Sequence, residues 1–410
     1  MSHSIDSELA ELRARALFRK LREFESAQQP EMETGGLSLV NFSSNDYLGL
    51  ATEPALKEAA KAAIDRFGVG SGASRLICGT LTPHVQLEAK LAEFKRTEAA
   101  LSFSSGYAAA LGTLGALLRK DDVVILDKLS HASLIDGAKL SGAVVRVFPH
   151  NHLGRLESHL KWAREHHPEA RVVVATESVF SMDGDWAALA EIVEIKSRYG
   201  ALLLLDEAHA VGVIGQNGRG LADQLGLAGS VDVQMGTLSK ALGVSGGYIC
   251  GERRLIDLIL NRARSFIYST AVPPAVAAAG TAALEFLMSL RGERRRQQLR
   301  GNLTHFAEQM PALLAGGRKL QSAIIPLIIG TPEAASEASR FLATRGFFVP
   351  AIRFPTVPRD SARLRITLSA RHTHAQIAAF CTALREIVPA AAPGNQTLGR
   401  PSDSAASRAN

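Results

Sequence analysis

Between Ala99 and Gly236, short apolar runs alternate with longer stretches in which apolar side chains recur every three or four positions. The runs are AALSF (99–103), VVILD (123–127), AVVRVF (143–148), RVVVATE (171–177), ALLLLDE (201–207) and VDVQMG (231–236). Unbroken apolar runs of this length suit strands covered on both faces, and the stretches between them suit helical crossovers. The pattern predicts an α/β domain around a mostly parallel sheet. In such sheets ligands gather beyond the carboxyl ends of the strands.

The flanks are patterned differently. Residues from about Ser7 to Phe24 read as an amphipathic helical arm, and Gly35–Gly36 marks a turn. TEPALKEAAKAAIDRFG encloses a helix, with Thr52 as its N-cap and Gly68 as its stop; further on, Thr82 caps and Pro83 opens another. After Pro273 the chain turns to long alanine-rich helices. Beyond Leu320, SAIIPLIIG, GFFVPAI and ARLRITLSA alternate with helices as a smaller α+β unit. The expected division is a helical arm (1–40), a large α/β domain (41–290), a small α+β domain (291–390) and a polar, disordered tail (391–410).

A chain of 410 residues with 46% hydrophobic and 21% charged residues has the makeup of an ordinary folded protein with one large and one smaller domain. Its net charge of +6 is spread along the chain, and the densest run, RGERRR (291–296), falls in a helical stretch expected to be solvated. Nucleic acid is therefore not the expected partner. An acidic carrier protein or a phosphate-bearing thioester fits the same balance. Cys78, Cys250 and Cys381 are scattered without metal-ligand spacing, which argues against a disulfide framework or a metal site and for a reducing compartment. The amino terminus has no apolar signal core and no apolar run reaches membrane-spanning length, so the expectation is a cytoplasmic protein with no membrane partner.

LLLLDEAHAVG (202–212) could be the metal-holding strand of a nucleic-acid motor. Such a motor also needs a GxxxxGK[ST] phosphate cradle, and the sequence contains no Gly-Lys dipeptide. A pyridine cofactor makes other demands: a carboxylate for its ring nitrogen, a lysine to hold its aldehyde as an imine, and N–H and hydroxyl donors for its phosphate. Asp206 closes LLLLD, Lys240 lies in the glycine- and hydroxyl-rich MGTLSKALGVSGG, and SFSSGYAAALG runs from a strand through Ser105, Gly106 and Tyr107 into a helix. Taken singly, these are a strand-end turn residue, an exposed lysine and an ordinary βα turn. His131 could be a capping residue and His209 could decorate a turn. The argument lies in their conjunction at one predicted sheet rim.

NFSSNDYLGL (41–50), SHASL (130–134), VFSMDGD (179–185), DEAHAVGVIG, GTLSKALGVSGG and IYSTAVPPA (267–275) together resemble the α-oxoamine synthases, pyridoxal-phosphate enzymes with the aspartate-aminotransferase-like fold (fold type I). The resemblance runs from about Asn41 through the last helix. It implies that Lys240 holds pyridoxal 5'-phosphate, that Asp206 partners the ring nitrogen and that His131 stacks on the ring. Ser181 and His209 would lie near the phenolic oxygen. Ser105, Gly106, Tyr107 and Thr237 would fall at the phosphate, with Thr270 serving the phosphate of a neighbouring subunit in a homodimer with shared sites. Arg365 would hold the amino-acid carboxylate. Thr356 and Asn45 would contact substrate, and Arg19 matches an acyl-substrate position.

Within the family, SAIIPLIIG and AIRFPTVPRDSARLRITLSARH resemble the branch that condenses L-alanine with a pimeloyl thioester, carried by coenzyme A or by acyl carrier protein. Two departures bear on substrate choice: Ile77-Cys78-Gly79-Thr80 resembles the glycine-using branch, and Phe354 stands where proline is common. Glycine with acetyl-CoA, or serine with a long-chain acyl-CoA, remain as alternatives. So does a cofactor-binding regulator without turnover.

Overall fold

The computed structural model describes residues 4–314 and 320–388; the tail expected after residue 390 lies outside them. The chain opens with a helix, Ile5–Ala14, capped by Ser4, which accepts from the Ser7 N–H. This is shorter than the arm expected to reach Phe24, because Ala16 adopts φ +50° and breaks the helix. Two strands follow, β1 (Glu31–Thr34) and β2 (Leu37–Asn41), paired antiparallel. Gly35 and Gly36 both have positive φ, the backbone a tight hairpin turn requires. Residues 31–40 are therefore not part of a helical arm.

The next strands form the central sheet: β3 (Ala99–Phe103), β4 (Val123–Asp127), β5 (Val144–Phe148), β6 (Val172–Glu177), β7 (Leu202–Asp206), β8 (Val233–Thr237) and β9 (Gly247–Gly251). Their spatial order is β3-β9-β8-β7-β6-β4-β5, and β9 alone runs antiparallel to its neighbours. The six expected runs become six parallel strands. The seventh, GYICG, is not evident in the sequence because glycines begin and end it. They are needed for close approach: a Cβ on Gly247 would lie 2.3 Å from the Ser105 carbonyl oxygen. Leu203, Leu204 and Leu205 are fully buried, each contributing roughly 1.5–3 kcal/mol relative to exposure. Both faces of β7 are thus covered, and only its carboxyl end opens to a site.

The helix Pro54–Phe67 begins at its proline with Glu53 as N-cap; Thr52, expected to cap it, instead accepts from Arg371 Nη1 at 2.9 Å. The helix expected to be capped by Thr82 has Leu81 at that position, where the Leu81 N–H donates to His84 Nδ1 at 3.0 Å. The long helices Pro274–Met288 and Leu290–Gln309 follow the sheet. Arg296, expected to be solvated, is buried, donating to Glu293 and to the Leu287 carbonyl.

The remaining strands are β10 (Ile324–Gly330), β11 (Phe347–Phe348), β12 (Ala351–Ile352) and β13 (Ala362–Thr367). They give a β10-β13-β12 sheet and add β11 to the amino-terminal hairpin beside β2. One core of buried residues runs from the central sheet through Phe42, Phe347 and Phe380 into this unit. β13 is buried at all six positions, and it delivers Arg363 and Arg365 toward the rim of the large sheet.

Candidate active site

The carboxyl ends of β3, β4, β6, β7 and β8 lead into turns that carry Ser105–Gly106, His131, Ser181, His209 and Lys240, respectively. The half-buried Lys240 donates from Nζ to His209 Nε2 at 2.9 Å. His209 must then carry its proton on Nδ1, which donates to Tyr47 Oη at 2.7 Å. Tyr47 in turn donates to Asn45 Oδ1 at 3.2 Å, an oxygen that also accepts from Arg365 Nη1 at 3.0 Å. The turn holding Asn45 and Tyr47 is fixed by Asp46, whose carboxylate accepts from the N–H groups of Leu50 and Ala51. A continuous hydrogen-bonded chain therefore links Lys240 to Arg365 across the two units.

Burial governs the electrostatics. It lowers the Lys240 pKa to about 8, against the pull of Asp206 and Glu177. It keeps His209 neutral, helped by the cations of Lys240 and Arg365. Asp206 is raised by burial and held back by Lys240; Oδ1 accepts from the Ala208 N–H at 2.9 Å, and among the described residues Oδ2 forms no hydrogen bond. The His131 ring sits over the amino terminus of the helix Ala132–Ser141, and its Nδ1 accepts from the Ser133 N–H and hydroxyl. Partial desolvation lowers its pKa.

The phosphate end is built from the helix Gly106–Leu117 and β8. Ser105 caps that helix by accepting from the Ala108 N–H, leaving the Gly106 and Tyr107 N–H groups at its start without intrahelical acceptors. Thr237 is beside them: a Cβ on Gly106 would lie 3.5 Å from the Thr237 Cβ. Thr237 Oγ1 bonds to Ser239 Oγ at 2.7 Å and to the Gly246 carbonyl at 2.7 Å. An anion-receptive helix start, two hydroxyls, a buried carboxylate with an open oxygen and an amine of lowered pKa fit pyridoxal 5'-phosphate.

Arg365 is buried, with Nε donating to the Ser181 carbonyl at 2.6 Å. Arg19 and Thr356 are exposed and near each other in the fold, since Arg19 Nη2 donates to the Phe354 carbonyl at 3.2 Å. The partly exposed Tyr107 donates to Asp136 at 2.7 Å. Thr270 is exposed, in an antiparallel bridge with Ser74, outside the hydrogen-bonded chain around Lys240. Two residues at the rim escaped the sequence reading. Tyr47 carries no periodic signal. Glu177 does: it closes an apolar strand as Asp206 does, and the two are register partners on β6 and β7.

A parallel sheet with its ligand groups on the carboxyl rim and a lysine after the sixth parallel strand defines the class of pyridoxal-phosphate enzymes of fold type I. Residues 38–384 match the family model for aminotransferase class I and II. The chain is 44% identical over 387 residues to the 8-amino-7-oxononanoate synthase of Geobacter sulfurreducens, covering 94% of this chain and 98% of that one. It is 47% identical over 384 residues to that of Methylococcus capsulatus, covering 93% and 98%. Among solved structures, serine palmitoyltransferase from S. paucimobilis with bound PLP and myriocin superposes with a TM-score of 0.87 at 31% identity, covering 94% and 97%. The 8-amino-7-oxononanoate synthase of Francisella tularensis superposes with a TM-score of 0.71 at 29% identity, covering 85% and 98%. The chain belongs to the α-oxoamine synthases. Among the described residues no helix is long and apolar enough to cross a membrane.

Proposed function

We propose that this chain joins L-alanine to a pimeloyl thioester with loss of carbon dioxide, giving 8-amino-7-oxononanoate, the step that feeds biotin synthesis. The convergence of Lys240, Asp206 and Arg365 on one rim carries the reading, and the 43–47% identity to curated 8-amino-7-oxononanoate synthases over at least 90% of this chain supports the substrate pair. Pyridoxal 5'-phosphate, when bound, supplies an electron-withdrawing ring that stabilises the carbanion of the amino acid.

The protein's share is to hold and orient. Asp206 would keep the ring nitrogen protonated; burial raises its pKa and Lys240 holds it back toward the carboxylate. The Gly106 and Tyr107 N–H groups, Thr237 and the Ser105 turn hold the phosphate, and Thr270 serves the phosphate of a second copy in a homodimer. His131 would stack on the ring, and Ser181 and His209 would lie near its phenolic oxygen. Arg365 and Asn45 receive the amino-acid carboxylate. Lys240, with a pKa of about 8, can give up and regain a proton near neutral pH, which suits an amine that removes the Cα proton. Arg19 and Thr356 flank the acyl chain.

The thioester is carried by coenzyme A or acyl carrier protein. A crossed product assay tests the reading: alanine, glycine and serine against pimeloyl, acetyl and long-chain acyl thioesters. Alanine with pimeloyl thioester is expected to give the fastest turnover. Faster turnover with glycine and acetyl-CoA would move the chain to the branch that Ile77–Thr80 resembles.

A further inference from the structure

Glu177 is a buried carboxyl at the rim to which neither the sequence nor the proposed reaction gives a task. It ends β6 directly beside Asp206 on β7. Parallel strands in register place both side chains on the same side of the sheet, so two carboxyl groups compete for one desolvated space. Glu177 Oε2 accepts from the Ser181 N–H at 3.2 Å and the His131 backbone N–H lies near enough to favour the carboxylate, but among the described residues Oε1 is buried with no hydrogen bond of full geometry. The Ser181 carbonyl in turn accepts from Arg365 Nε. Lys240 and His209 approach from the turns after β8 and β7, His131 from the turn after β4, and Arg365 from β13.

We propose that Glu177 is a positioning residue that shares a single negative charge with Asp206, holding a proton in reserve beside Lys240 while its Oε2 fixes the Ser181 turn and, through it, Arg365. The proposal deepens the reading above and rests on it for the identity of the reaction. Three features support it. An unpartnered buried oxygen is costly to an ionised carboxylate, and protonation relieves that cost. Two carboxylates in one dry site cannot both ionise cheaply. Burial, then Asp206, push the Glu177 pKa up to about 8, while burial lowers that of Lys240, so the two groups are drawn toward each other's range. The charge on the set can then stay constant while a proton moves within it.

The Lys240 titration can be read without cofactor. The cofactor-free protein is pulse-labelled with acetic anhydride across pH, and acetylation of Lys240 is followed by mass spectrometry. In the wild-type protein the Lys240 curve is expected to be broader than a one-proton titration. Glu177→Gln keeps an oxygen for the Ser181 N–H and removes the titrating proton. Its Lys240 curve should narrow to one proton with a midpoint lower by about half a pH unit or more, because the charge that favours the ammonium is gone. Glu177→Ala, which also frees the Ser181 turn, should raise the KM for L-alanine about tenfold in the loaded enzyme, whereas Glu177→Gln leaves it within about twofold. A Glu177→Gln curve that superposes on the wild-type curve, with circular dichroism showing a folded protein, would overturn the proposal. Should Glu177→Gln not fold, Glu177→Asp takes its place: a Lys240 curve that stays broad but moves in midpoint with the retracted carboxyl retains the idea, and one that superposes on the wild-type curve rejects it. Because labelling needs no cofactor, failure of the cofactor reading leaves this result interpretable.

Discussion

Asp206 and Glu207 are consecutive, both carboxylates and both buried, yet their surroundings differ. Glu207 is saturated: Lys95 Nζ donates to Oε2 at 2.5 Å and the Ala222 N–H to Oε1 at 3.0 Å. Among the described residues Asp206 has one backbone donor, the Ala208 N–H, and its other oxygen has none. The same contrast separates two arginines on β13. Arg363 is paired with Asp183 at 2.8 Å, whereas Arg365 donates to the Ser181 carbonyl, Asn45 and Tyr47, with no carboxylate in salt-bridge range among the described residues. In these two pairs the buried charge that supports the fold is neutralised by the protein, while the one at the rim is left for a ligand to complete. Desolvating an incomplete charge costs stability, so its persistence signals a task.

The sharpest way to break this contrast is to remove the amine that the incomplete charges surround. Lys240→Ala is expected to lower kcat by at least about a thousandfold and to abolish the visible absorption of the lysine-bound cofactor, with the far-ultraviolet circular dichroism unchanged. Retained turnover, or borohydride trapping of another lysine, would refute the assignment.

The neighbouring carboxylates should then separate by phenotype. Asp206→Asn is expected to cost about a hundredfold or more in kcat with little change in the denaturation midpoint. Glu207→Ala strands the Lys95 ammonium in a buried site and should cost about 3–5 kcal/mol in unfolding free energy, with kcat of the folded enzyme changed far less. Equal losses of stability in the two variants would erase the distinction. Lys95→Met combined with Glu207→Leu should recover part of the stability and would show that the pair, not the carboxylate, matters.

Histidines extend the comparison to pH. His372 is buried between Phe42 and the turn at Ser369; its Nδ1 accepts from the Ser369 N–H and its Nε2 donates to the Asn41 carbonyl at 2.9 Å. Burial lowers its pKa to about 4, outweighing the Asn41 hydrogen bond. The unfolded chain, with an imidazole pKa near 6.5, binds the proton more tightly, so this group costs stability as pH falls from 6.5 toward 4, by roughly 3 kcal/mol at the acid limit. His150 has the opposite sign. Burial opposes its charge, but the Asp127 and Asp185 carboxylates, at 3.1 and 2.7 Å, push its pKa up to about 10. Its contribution is complete below pH 6.5 and is lost as pH rises through 10. Urea midpoints of wild type, His372→Gln and His150→Gln across pH should show difference profiles of opposite slope. Parallel profiles would contradict both assignments.

Much of this was legible in the sequence because burial writes itself as apolar runs. All six parallel strands of the central sheet could be read from the apolar runs at 99–103, 123–127, 143–148, 171–177, 201–207 and 231–236. The antiparallel β9 could not, because its glycines serve backbone proximity and not side-chain packing. The helical arm was overextended for a related reason: periodicity through Phe24 cannot register Ala16, whose left-handed backbone ends the helix. Asp206 and Lys240 stood out through their local context. Tyr47 did not, since its hydroxyl matters only where residues 47, 209 and 240 meet in space. Glu177 was visible as a strand-closing carboxylate, but its register partnership with Asp206 is a property of the sheet.

The smallest effect expected is also the most selective. Arg365→Lys keeps the positive charge beside Tyr47 and Asn45 but loses the planar fork that lets one side chain hold the Ser181 carbonyl and still offer two N–H groups to a carboxylate. Removing one of two such bonds should raise the KM for L-alanine about tenfold, near 1.4 kcal/mol, while kcat falls less. The paired position supplies the control. Arg363→Lys retains a cation for Asp183, touches no proposed ligand group and should leave the KM for L-alanine within about twofold. If both substitutions raise KM alike, the effect arises from the packing of β13 against the rim, and the open charge of Arg365 is not what selects the amino acid.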